Sequence, residues 1–255
     1  MSKAVVSPSA ASALPSTASP RPSLFARAGV NSRPVALAYR VVALAVIVTG
    51  VVRHSDLLTG QPAWTTVLFY TMLSNLLCLV WMLLLVIRTV RDLPHSGPRG
   101  TSTPSARVSG AVMMAITVTM LIYLVVLVPT RFADGDTDVF SLTDNLIHII
   151  TPVLMIVDWL LFVPKGSFRW TDPLLWTLIP YVYLVWAFAY GALGGEFTPG
   201  QKYPYPFMDV DALGVIGVAQ WVVALTVALI VVGLVFVVVD RALGAVARRS
   251  ARPIS

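Results

Sequence analysis

Six long apolar runs constrain this chain more than anything else in it. Crossing the hydrocarbon of a bilayer as α-helix takes about 20 consecutive apolar residues. The runs 35–52, 64–90, 108–130, 139–163, 173–193 and 212–239 each meet or approach that length. A backbone in lipid must satisfy its own N–H and C=O groups, so such runs fold as helices. The expected fold is all-α: a six-helix transmembrane bundle over residues 35–240, flanked by tails 1–34 and 241–255. The second and sixth runs exceed what a crossing needs and are expected to tilt or reach past the interface. Composition agrees, since 57% hydrophobic and 12% charged residues with a mean hydropathy of +0.81 lie far from a soluble domain's balance.

Basic residues set the orientation. The N-terminal tail, the second loop, the fourth loop and the C-terminal tail hold fourteen Lys and Arg, from Lys3 to Arg252. The other three loops hold only Arg53, Arg131 and Lys202, beside acidic residues such as Asp134, Asp136 and Glu196. That alternation places both termini in the cytoplasm and the chain in the plasma membrane. It also explains the net charge of +6 without invoking nucleic acid. Residues 1–34 lack the apolar core of a secretory signal. Pro15, Pro20, Pro22 and Pro34 break any amphipathic helix there, so a disordered cytoplasmic tail is expected.

Ionisable groups at membrane depth are costly and often mark function. His148 lies inside the fourth run with Asp144 four residues earlier, hence on the same helix face. The pair reads either as a carboxylate orienting a base or as a structural histidine bonded to a neighbouring helix. In the second run Thr71, Ser74 and Asn75 share a face. Ser74 and Asn75 read foremost as helix–helix contacts. Thr71 lies seven residues below Trp64 and His148 nine below Val139, about 10 and 14 Å at the rise of an α-helix. A hydroxyl and an imidazole thus reach similar depth, and a hydroxyl beside a base is the minimal activated nucleophile.

Arg40, the segment Phe69-Tyr70-Thr71-Met72-Leu73-Ser74-Asn75, Asp144-Asn145-Leu146-Ile147-His148, Pro152, Asp158-Trp159 and Tyr203-Pro204-Tyr205-Pro206-Phe207-Met208-Asp209 occur in that order. Over residues 35–240 the chain resembles the six-helix integral membrane proteins of actinobacteria whose function is unassigned. These are similar in turn, more remotely, to the androgen-induced-gene family, multi-pass hydrolases of fatty-acid esters of hydroxy fatty acids with an intramembrane threonine and histidine. The resemblance implies Thr71 for that threonine, His148 for that histidine, and a lipid ester as substrate. Ser74-Asn75 after the threonine and Asp144-Asn145 before the histidine depart from the eukaryotic pattern.

Arg40 and Asp158 stand at equal depth near the cytoplasmic ends of the first and fourth runs, which makes them a candidate structural ion pair, or else each snorkels to the interface. The loop Tyr203-Pro204-Tyr205-Pro206-Phe207 reads as an interfacial anchor, with a lid as the alternative. Tyr181, Tyr183, Trp186 and Tyr190 read as packing residues, and Pro180 as a kink. No lysine lies within a run, which excludes a retinal Schiff base, and His54, His95 and His148 are too few and scattered for paired haem ligation. No phosphate-loop, dinucleotide or zinc-protease motif occurs, and Cys78 stands alone, so no cofactor or metal is expected.

Two functional readings remain. In one, Thr71 is the nucleophile and His148 the base, Asp144 orients, and Ser74 or Asn75 donates to an oxyanion. Its partners are membrane lipids and its substrate a lipid ester. In the other, the same polar residues line the cavity of a non-catalytic transporter or assembly factor. Oligomeric state is not encoded in any feature of the sequence.

Overall fold

The computed structural model describes residues 29–136 and 138–250. Among them six helices are long and apolar enough to cross a membrane: α1 (Arg33–His54), α2 (Tyr70–Ser96), α3 (Ala106–Ala133), α4 (Leu142–Phe162), α5 (Asp172–Ala192) and α6 (Val210–Arg249). The described residues contain no strand, only an isolated bridge between Thr198 and Gln201. The molecule is an all-α, six-helix bundle of the kind integral membrane proteins form.

Differences from the sequence reading occur at the ends of the runs. The second run does not begin as α-helix. Residues Trp64–Leu68 form a 3-10 turn, Phe69 is extended, and α2 starts at Tyr70. Thr71 therefore occupies the first turn of α2 and not its middle, and the depth estimate from Trp64 does not apply. The expected tail 1–34 falls largely outside the described residues; within them, Val30 N–H donates to Leu161 O at 2.8 Å and α1 already begins at Arg33. Of the tail expected over 241–255, residues up to 250 continue α6 as helix and the rest lie outside the described residues.

The start of α1, the α2–α3 loop, the α4–α5 loop and the end of α6 gather at one end of the bundle, hereafter the termini end. Arg33 there donates to Ser96 O and Gly97 O, and Asp240 of α6 accepts from the Ser167 and Phe168 N–H groups. The remaining loops form the far end, where Arg53 Nε bonds Thr143 Oγ1 and Tyr183 Oη donates to Leu68 O.

Helices α1 to α4 make the core. α5 packs against α3 near its own start, and α6 leans on α5. Only 28% and 17% of the most apolar windows of α5 and α6 are buried, against 56% for α3, so most of their surface faces outward. The hydrogen-bond ladder of α5 is interrupted near Thr177, between Asp172–Trp176 and Leu178–Ala192, while the backbone there stays helical. Pro180 accounts for this, because it lacks the N–H that would bond the Trp176 carbonyl four residues back.

Two helices widen midway. Tyr123–Leu127 in α3 and Leu146–Ile150 in α4 are π-helical turns, closed by Val128 N–H to Tyr123 O and Thr151 N–H to Leu146 O. Each closing residue is followed by proline, Pro129 and Pro152. A proline cannot supply the next bond in the ladder, which lets the chain take one extra residue into the turn. Gly50 of α1 sits against the α4 turn so closely that a Cβ would stand 3.2 Å from Ile147 Cγ2 and 3.3 Å from Leu146 Cβ.

Candidate functional site

The two π-turns put their first and third residues, Tyr123 and His148, face to face. Their rings stack with centroids 4.0 Å apart and planes 8° apart. One extra residue in each turn is what rotates these side chains into the space between α2, α3 and α4, an arrangement often met at functional sites. Tyr123 is 1% exposed and its hydroxyl has no hydrogen-bond partner.

On its other side His148 meets Thr71. Thr71 Oγ1 lies 3.5 Å from His148 Nε2, both residues being buried. His148 Nδ1 lies 3.1 Å from the backbone oxygen of Asp144. An Nδ1–H donating to that carbonyl leaves the Nε2 lone pair facing the Thr71 hydroxyl, the tautomer a general base requires.

Asp144 plays a different part from the one its spacing suggested. Its carboxylate approaches Nδ1 only to 3.8 Å. The same carboxylate accepts from Ser141 Oγ at 2.8 Å and pairs with Arg131 Nη1 at 3.3 Å, while Asp144 N–H donates to Ser141 Oγ at 3.1 Å. Ser141 is the N-cap of α4 and Asp144 its first-turn acid, so the pair caps the helix. What touches the imidazole is the Asp144 main chain. Arg131 also pairs with Asp136 at 2.8 Å, closing a charged rim above the site.

Ser74 and Asn75 have no donor left for a ligand. Ser74 Oγ is 3.0 Å from Thr71 O and 2.7 Å from Thr119 Oγ1, and Asn75 Nδ2 donates to Thr71 O at 2.7 Å and Ile147 O at 3.0 Å. The Ile147 carbonyl is one that the π-turn and Pro152 leave without a main-chain partner, and the Asn75 amide supplies it. These residues hold α2 to α3 and α4.

Donors are present elsewhere. Phe69, the N-cap of α2, offers no side-chain acceptor, so the first N–H groups of the helix lack intrahelical partners. The Tyr70 and Thr71 N–H groups and the Thr71 hydroxyl act electrostatically on the hydroxyl of Tyr205. Burial holds the Tyr205 phenol above its ordinary pKa, and these donors pull it partly back. Tyr205 and Phe207 are buried, stacked on each other at 5.4 Å, and Tyr205 lies edge-on to Phe69. The loop that carries them thus folds into the bundle, and the anchor reading fails for these two rings. Tyr205 and Tyr123 are site residues that side-chain spacing could not reveal.

The second polar cluster lies toward the termini end. Arg40 Nε bonds Asp158 Oδ1 at 2.8 Å, with both side chains fully buried. Arg40 also donates to Thr89 Oγ1, Thr101 O and Thr103 Oγ1 at 3.0, 2.6 and 3.1 Å, and lies over the Phe162 ring. Nearby Lys165 is buried in the α4–α5 loop, donating to Trp159 O and Val163 O over the Trp159 ring. Desolvation lowers its pKa to about 8, against the pull of Asp240 and Asp158. A lysine counted from sequence as a basic loop residue is here a packed one. Among the described residues no group of three or more His, Cys, Asp or Glu side chains converges as a metal site would.

Compared with family models, curated proteins and solved structures, the chain matches none.

Proposed function

We propose that the protein is an intramembrane hydrolase of fatty-acyl esters, with Thr71 as nucleophile and His148 as general base. The observation that carries this reading is the 3.5 Å approach of Thr71 Oγ1 to His148 Nε2, between residues 77 apart in sequence, in a buried site. Thr71 Oγ attacks the ester carbonyl as its proton passes to Nε2. Collapse of the tetrahedral intermediate expels the alcohol, which takes that proton from His148. Water then attacks the acyl-threonine, again with His148 as base, and the fatty acid leaves. The oxyanion forms at the start of α2, where the Tyr70 and Thr71 N–H groups and the helix dipole stabilise negative charge. Tyr205, buried edge-on to Phe69 beside this turn, adds a hydroxyl donor. The termini end is cytoplasmic in this reading, by the fourteen-to-three distribution of basic residues, so the site lies in the outer leaflet of the plasma membrane.

Purified protein in nanodiscs should be labelled by a lipophilic fluorophosphonate. Thr71→Ala and His148→Ala should each reduce labelling at least 100-fold while leaving yield and melting temperature near those of the wild type. Labelling that survives Thr71→Ala removes the nucleophile. A folded wild type that never labels leaves the non-catalytic reading standing.

A further inference from the structure

A crevice of about 80 Å³ opens between α5 and α6 and reaches inward to Tyr70 and Tyr205. Its walls include Pro180 and Leu184 of α5 and Val222, Leu225 and Leu229 of α6. Its shape has a simple origin. Toward the termini end the two helices are pressed together at Gly233, where a Cβ would stand 2.8 Å from Pro173 Cβ. Beyond Thr177 they part, and a hydrogen bond between Tyr181 Oη and Thr226 Oγ1 at 2.6 Å spans the gap. The crevice is therefore blind near Leu229, one turn before the pinch, and open to the side. From Val222 to Leu229 it runs about 10 Å along α6.

Its polar atoms are already committed. Tyr70 Oη donates to Ala115 O at 3.1 Å, Tyr183 Oη to Leu68 O at 3.0 Å, and Tyr181 Oη is taken by Thr226. An occupant thus finds hydrocarbon and ring faces along the walls and its first free polar contacts only at the inner end. There the crevice ends against Tyr205 and Tyr70, the residue before Thr71 in the first turn of α2. The crevice lies between the two least buried helices, whose Val182, Val185 and Val223 are exposed on the outer surface that a bilayer would cover.

We propose that this crevice is the acyl-chain subsite: the chain of an ester lipid enters sideways between α5 and α6, with its carboxyl carbon at Thr71 and its methyl end against the pinch at Gly233 and Pro173. The proposal rests on the hydrolase reading for the head of the lipid, while the seating of the chain is testable without turnover. A blind groove sets an upper limit on chain length, and filling it shortens that limit.

The test has two arms. p-Nitrophenyl esters from acetate to palmitate are compared for wild type, Leu225→Trp and the milder Leu225→Phe, each checked for an unchanged melting temperature. Wild type should prefer longer chains up to a cut-off. The tryptophan variant should keep its acetate rate within twofold and lose at least tenfold on the longest chain cleaved, with phenylalanine between. An unchanged long-to-short ratio overturns the proposal. In the second arm a fatty acid bearing an ω-diazirine is photo-crosslinked in nanodiscs and the modified peptides are mapped. Crosslinks should concentrate near Leu229 and Gly233, compete with excess oleate and vanish in Leu225→Trp. Crosslinks spread over the outward faces of α5 and α6, and insensitive to the variant, show bilayer lipid only and overturn it. If crosslinking maps to the groove but no ester is cleaved, the subsite stands and the hydrolase reading falls.

Discussion

The two polar clusters of the bundle lie at similar burial and differ in what holds them: a charged pair bonded across three elements in one, a neutral imidazole–hydroxyl contact in the other. Around Arg40 all three guanidinium nitrogens have partners, drawn from α2, α4 and the α2–α3 loop, and the one unpaired atom of the ion pair is Asp158 Oδ2. Around His148 one contact is long, the Tyr123 hydroxyl is unpaired, and no side chain of the N-cap residue meets the first N–H groups of α2. A buried guanidinium bonded to three elements welds helices together. Spare capacity costs stability and persists where something else is to be bound. The backbone repeats the contrast: regular helix carries Arg40, while His148 and Tyr123 sit on π-turns.

The largest expected effect belongs to the ion-paired cluster. Removing one partner strands a charge among buried groups, and Arg40→Ala or Asp158→Ala should destabilise by about 3–5 kcal/mol. Reversible unfolding in mixed micelles measures this. The joint replacement Arg40→Met with Asp158→Leu should lose less than the sum of the single changes, because no charge is left alone. Equal and additive losses would erase the distinction between the clusters.

Pro152 offers a sharper cut, since it separates position from stability. Pro152→Ala restores the missing N–H, removes the ring, and allows α4 to close the wide turn into regular helix. Losing one residue from the turn rotates His148 by about 100° about the helix axis. Thr71 labelling should fall at least tenfold, while the melting temperature holds or rises, because an interior proline costs a helix about 3 kcal/mol in favourable contexts. Undiminished labelling would mean that the π-turn is not what aims the imidazole.

These two changes mark the boundary of what the sequence could say. Six crossings were legible because twenty apolar residues in a row have few other solutions. The meeting of Arg40 with Asp158 was legible from their equal distance to the ends of their runs, and Thr71 pointed to His148 by the same logic. The logic assumed regular helix from Trp64, however, where the chain makes a 3-10 turn and an extended residue before α2 begins. The π-turns left no trace in hydrophobic periodicity, since one added residue in a uniformly apolar helix changes no pattern. Pro129 and Pro152 were their sole signal. Tyr205 was hidden for another reason: an aromatic, proline-rich loop suits the headgroup layer as well as a folded-in plug, and only the packing of Phe69 and Tyr183 against it decides.

The smallest effect is expected at Asp144. Spacing alone made it the orienter of His148, and an orienting carboxylate is worth orders of magnitude when it sets the tautomer of a base. Here the tautomer is set by a main-chain oxygen 3.1 Å from Nδ1, which no side-chain substitution removes. The carboxylate serves the N-cap with Ser141 and pairs with Arg131, interactions worth roughly 0.5–2 kcal/mol for a cap and less for a half-exposed pair. Asp144→Asn should therefore slow fluorophosphonate labelling no more than about threefold and lower stability by about 1 kcal/mol. Ser141→Ala, which weakens the same cap without touching the charge, should do much the same. A loss of a hundredfold or more in Asp144→Asn alone would show that the carboxylate closes on the imidazole during the reaction, and would turn the cap into a working part of the site.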